Sequence, residues 1–188
     1  VAAILAGATL PITPLQILWI NMTTAVLLGL PLAFEPIEKG IMRRPPRRLD
    51  QPVLDGALIR RIVLVSCLLL AGAFGLFLRE LAQGDPLAEA RTVAVNVFVM
   101  VEAAYLFNCR SLTRGFWQQG LFSNPWIWAG LGSMLALQLA MTYLPVMNVL
   151  FGTAPIGIAE WLEILAVALF SSLIVGLEKW LQARRSKT

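Results

Sequence analysis

The feature that most restricts this chain is a series of apolar runs of about twenty residues, at about 14–33, 58–79, 91–109, 125–144 and 158–181. A helix rises about 1.5 Å per residue, so roughly 20 residues cross a hydrocarbon layer of about 30 Å. Inside that layer each backbone polar group needs an internal partner, a demand that a helix meets within its own segment. The fold expected is an all-α membrane protein, a bundle of five transmembrane helices plus a short N-terminal helix remnant. Charged residues make up 14% of the chain, against roughly 25% in soluble domains. The apolar runs take up most of the 188 residues and leave no room for a second soluble domain. Residues 1–10 are apolar but too short to span, and the chain opens on Val1 with no charged leader. They read as the tail of a helix, and the chain as an excised piece.

Basic residues orient the bundle. The 35–61 loop, the 110–124 loop and the C-terminal tail carry nearly all of the 15 Lys and Arg, leaving Arg79 and Arg91 on the opposite side. Cytoplasmic loops are the basic ones, so those three segments are expected to face the cytoplasm. The same charges suit lipid headgroups; nucleic acid is not an expected partner. The Pro45-Pro46 pair makes the 35–61 segment an extended loop. Residues 145–157, with Pro145, Gly152, Pro155 and Gly157, read as a weakly polar connection, and Glu80, Asp85 and Glu89 as a short acidic loop.

Polar groups inside apolar runs carry the functional reading. Asn21, Thr23 and Thr24 cluster in the first span. Asn21 and Thr24 lie three apart and share a helix face. A threonine can bond the carbonyl one turn back, but an amide brings more donors and acceptors than such back-bonding absorbs. Glu102 lies in the middle of the third span, where a carboxyl either pairs with a cation or keeps its proton. Together Asn21, Thr24 and Glu102 offer an amide oxygen, a hydroxyl and a carboxylate, the hard oxygen donors that calcium and magnesium take. The set is incomplete alone and needs carbonyls, waters or further helices. Glu35, beside Pro36, reads as solvated, and Glu163 as snorkelling outward. Asn96, Tyr105 and Gln138 read as interhelical bonds.

Three stripes of small residues at four-residue spacing, Cys67-Ala71-Gly75, Gly132-Ala136-Ala140 and Ala168-Ser172-Gly176, read as close-approach faces. Pro31 should kink or loosen the turn before it. The chain has no His and no Cys-x-x-Cys; Cys67 and Cys109 read as packing residues. No nucleotide-binding, triad or metalloprotease motif is present.

Residues 10–47 contain Leu-Pro-Ile-Thr-Pro-Leu-Gln-Ile-Leu-Trp-Ile-Asn-Met-Thr-Thr, then Phe-Glu-Pro and Met-Arg-Arg-Pro-Pro-Arg. This stretch resembles the sixth transmembrane helix and following loop of P-type cation-transporting ATPases. Val101-Glu-Ala-Ala…Asn108-Cys-Arg-Ser-Leu, Asn124-Pro-Trp-Ile-Trp and Glu160-Trp-Leu…Gly176-Leu-Glu-Lys resemble the eighth, ninth and tenth helices. The resemblance covers essentially the whole chain. It implies that Asn21, Thr24 and Glu102 are cation ligands, as in the calcium-pump branch. The aspartate of that branch is Ala25 here and its helix-breaking glycine is Val26, so calcium is one option and unwinding shifts toward Gly29 and Pro31. It also implies missing partners: the N-terminal helices and the cytoplasmic domains that use ATP and magnesium. The chain itself has no cofactor and is expected to lack ATPase activity. The setting implied is a bacterial-type plasma membrane. A stand-alone secondary transporter, or a structural scaffold, is the alternative reading of the residues.

Overall fold

The computed structural model describes residues 7, 9–36, 56–110 and 122–185. The expected helix remnant and the interiors of both basic loops lie outside these residues. The described residues form six helices and no strands, and helices long and apolar enough to cross a membrane number four, or five when a bent pair is counted as one span. The helical membrane bundle read from the sequence is therefore present.

α1 runs Pro14–Thr24, continues as a π turn over Ala25–Gly29 and closes as a 3-10 turn over Leu30–Phe34. Its start is a reciprocal cap. Gln16 N–H donates to the Thr13 hydroxyl at 3.3 Å, and Thr13 N–H donates to the Gln16 side-chain oxygen at 2.9 Å. Pro14 occupies the first turn, where its missing N–H costs nothing. α2 (Gly56–Gln83) and α3 (Leu87–Cys109) form a hairpin over Gly84-Asp85-Pro86. α4 (Pro125–Tyr143) is capped by Asn124, whose side chain accepts from Trp126 N–H at 3.0 Å. α5 (Pro145–Phe151) bends 81° away from α4, and α6 (Ile158–Arg185) completes the bundle.

α3 is the central post. Val93, Ala94, Val95, Asn96 and Val97 are all fully buried, so it has no single apolar face. It packs chiefly on α2 and α6. Asn96 donates to Thr142 of α4 at 3.2 Å, and Asn108 to the Ser172 hydroxyl of α6 at 2.9 Å. In contrast, Leu18, Met22, Val26 and Leu30 of the α1 segment are exposed along one side.

Several sequence expectations change. The connection 145–157 contains α5, because Pro145 breaks α4 yet fits the first turn of a new helix, which Gly152 ends in the left-handed region at φ 62°. Glu80 is not in a loop: it lies in the last turns of α2 and is buried, while Glu89 sits in the first turn of α3. Two small-residue stripes make no close approach among the described residues. Cys67, Ala71 and Gly75 are exposed, and the close approach is made one position over by Gly72 against Val97 and Val167. Gly132 and Ala136 are likewise exposed, whereas Gly130 lies against α1. The third stripe does face inward, through Ala168 and Ser172.

Candidate cation site

Both threonines of α1 donate to their own helix: Thr23 to Trp19 O at 2.7 Å, Thr24 to Ile20 O at 2.8 Å. The single Thr24 proton thus has two acceptors within reach, Ile20 O and the Glu102 carboxyl. Thr24 and Glu102 line one groove of about 260 Å³, with Leu28, Gly29 and Leu32 from the α1 segment and Tyr105, Leu106 and Cys109 from α3. The spacing explains the lining. Glu102, Tyr105, Leu106 and Cys109 follow one helical face. One carboxylate oxygen of Glu102, Oε2, is buried and has no hydrogen-bond partner among the described residues. An orphaned carboxylate oxygen in an apolar wall is costly unless a cation or a proton meets it.

Asn21 stands apart. Its residue is exposed, one turn before Thr24, and it does not line the groove. The structure thus brings Thr24 and Glu102 together and leaves Asn21 on the uncovered side of α1, among Leu18, Met22 and Val26. Tyr105 and Cys109 are groove residues that reading for ligands passed over; their three- and seven-residue offsets from Glu102 were the available signal. Among the described residues, no group of three His, Cys, Asp or Glu side chains converges on one point.

The groove is anchored below by a polar knot. Glu35 is engaged, not solvated: its Oε1 accepts from Arg110 Nη2 at 2.7 Å and Nε at 3.0 Å, and its Oε2 from Asn124 Nδ2 at 3.0 Å. The same Asn124 nitrogen donates to Pro31 O at 2.9 Å, taking up a carbonyl at the 3-10 turn, where Glu35 N–H bonds Leu32 O instead. Beside it, Arg61 of α2 pairs with Glu178 of α6 at 3.2 Å, and Lys179 donates to Asn108 O. The ends that carry basic residues therefore meet at one end of the bundle. At the other end Gln16, fully buried, donates to Phe151 O at 2.8 Å, and Trp19 donates to Gln138 Oε1 at 3.4 Å. Glu163 does not snorkel into solvent; it pairs with Arg79 of α2.

A family model described as the C-terminus of cation transporting ATPases matches residues 9–181. The chain is 56% identical over 186 residues to the probable cation-transporting ATPase F of Mycobacterium tuberculosis, covering 99% of this chain and 21% of that protein. It is 36% identical over 165 residues to cation-transporting ATPase pma1 of Synechocystis, covering 85% of this chain and 18% of that protein. It is 30% identical over 181 residues to calcium-transporting ATPase type 2C member 2 of Mus musculus, covering 93% and 19%. The chain spans about a fifth of the length of these relatives.

Proposed function

The chain belongs to the cation-transporting ATPase C-terminal family, and we propose that it contributes part of the intramembrane ion site of an ATP-driven cation pump. The observation that carries this reading is the buried, unpartnered Glu102 Oε2 in a groove shared with Thr24. The cation is cargo, held by a carboxylate and a hydroxyl oxygen while it crosses. Such a site needs more oxygens than two side chains supply. Asn21 lies off the groove on the open side of α1, and in this reading it serves the cation only together with oxygens from helices of the remaining four-fifths of the pump. ATP and magnesium act in that remainder; this chain supplies the site and the bundle behind it. The mouse relative makes calcium the first cation to try. The basic end is the cytoplasmic one in a bacterial plasma membrane.

In this mechanism Glu102 meets the cation in one state and a proton in the other, so the orphaned oxygen is never left charged and bare. Cation-stimulated ATP turnover of the full-length protein tests it. Glu102→Gln removes the charge at nearly constant volume and should weaken cation affinity at least about tenfold. Unchanged affinity in Glu102→Gln and Glu102→Ala refutes the role.

A further inference from the structure

The Leu27 carbonyl lacks its ordinary helical donor. Four residues on stands Pro31, which has no N–H and whose ring crowds the carbonyl one turn back. The segment answers with the π turn Ala25–Gly29. Both crowded groups, the Leu27 carbonyl and the Pro31 ring, rest against Gly130 of α4. A Cβ built on Gly130 would stand 2.1 Å from Leu27 O and 2.7 Å from Pro31 Cγ. The nearer atom is backbone and cannot swing aside, so only a glycine seats α4 at this depth.

A π turn winds less per residue than an α-helix, and the 3-10 turn that follows over Leu30–Phe34 winds more, so the two carry the chain past Pro31 with opposed rotations. Two arrangements depend on this pairing of turns. Leu32, beyond the turn, lines the same groove as Thr24, before it. Glu35 reaches Arg110 and Asn124. The α1 segment is also pinned before the turn, by Gln16 to Phe151 and Trp19 to Gln138. A change of register between these two anchorages has to be absorbed at Thr24 and the groove.

We propose that Gly130 is a positioning residue for the cation groove: by giving room to the Leu27 carbonyl and the Pro31 ring, it holds the π register of the α1 segment and so sets Thr24 relative to Glu102. The positioning role rests on the reading of the groove as an ion site; the register does not.

The experiment uses the full-length protein in membranes, with Leu32→Cys introduced and Cys109 kept as the only other thiol. A short bismaleimide should join the two cysteines, since both positions line the groove. Gly130→Ala and Pro31→Ala should each cut that yield severalfold. Pro31→Ala returns an N–H to Leu27 O and suits a helix, so it keeps the test open if Gly130→Ala is not recovered. In parallel, calcium, manganese and sodium are tried for stimulation of ATP turnover, and the stimulating cation is titrated. Gly130→Ala should weaken its apparent affinity roughly ten- to hundredfold, which loss of folded protein alone would not do. An unchanged Leu32→Cys yield in both variants overturns the register claim. A shifted yield with unchanged affinity overturns the positioning role and leaves the ion-site reading to the Glu102→Gln result. No stimulation by any of the three cations counts against the ion-site reading, and the register claim is then decided by the cross-link alone.

Discussion

Arg110 donates twice to a single oxygen of Glu35, at 2.7 and 3.0 Å, across the gap between the end of α3 and the end of the α1 segment. The two side chains are only 2% and 14% exposed. Three elements meet there, because Asn124, the cap of α4, holds the other Glu35 oxygen. The groove above it is shaped by two of the elements this knot ties together.

Removing one member of such a pair leaves the other buried and uncompensated. Arg110→Ala or Glu35→Ala should therefore cost about 3–5 kcal/mol. Thermal denaturation in detergent reads this out. Glu35→Gln keeps an acceptor and a similar volume and should cost less than Glu35→Ala; equal losses would mean that the charge, and neither volume nor a neutral acceptor, matters at this position.

Gly72 marks the α2–α6 contact. A Cβ there would come within 2.6 Å of Val167 Cγ1. Val167 is β-branched and turns poorly at χ1, so Gly72→Ala should destabilise by about 1–3 kcal/mol. Gly75, with nothing within 4 Å of its would-be Cβ, should accept alanine within about 0.5 kcal/mol. Denaturation midpoints of the two variants compare them directly.

Gln16 is buried and serves two structures at once, the cap of α1 and the carbonyl of Phe151 on α5. Gln16→Leu fills the space but leaves that carbonyl without its donor, at a cost of about 1–3 kcal/mol. Proteolysis around residues 145–157 should also quicken, because α5 loses its tie to α1. A rate equal to that of the unsubstituted protein would show that α5 is held by other contacts.

Orientation can be read with an impermeant maleimide on intact cells. In a background without Cys67 and Cys109, Gln83→Cys, at the end of α2 away from the basic segments, should be labelled from outside. Arg184→Cys should be labelled only after lysis. The reverse pattern would invert the bundle.

Much of the fold could be read directly, because membrane-length apolar runs admit few forms. The site was legible in its members and not in its joints. Glu102 stands out in any apolar run, and Thr24 follows from its neighbourhood. Glu35 was misread because its partners, Arg110 and Asn124, lie far along the chain, where no local spacing reveals them. Two of the small-residue stripes did not mark the contacts within this bundle, for a related reason. Four-residue spacing identifies a helix face but not whether that face turns inward, and Gly72 and Gly130, the glycines that do approach a neighbour, belong to no such stripe. Pro31 announced a disturbance, but its form as a π turn depends on the room that Gly130 leaves.

The central post α3 is the least apolar of the four unbroken spans, and it carries Asn96, Glu102 and Asn108. A segment leaving the ribosome partitions into lipid on its own oiliness, and each of these residues weakens that step. Only Gly84-Asp85-Pro86 separates α3 from the far greasier α2. The expected outcome is insertion of the two as a pair: placed in a host protein, the α3 segment alone should enter the bilayer less often than it does within the α2–α3 hairpin. The residue that makes the groove useful is thus also one that obliges its helix to enter the bilayer with a chaperoning neighbour.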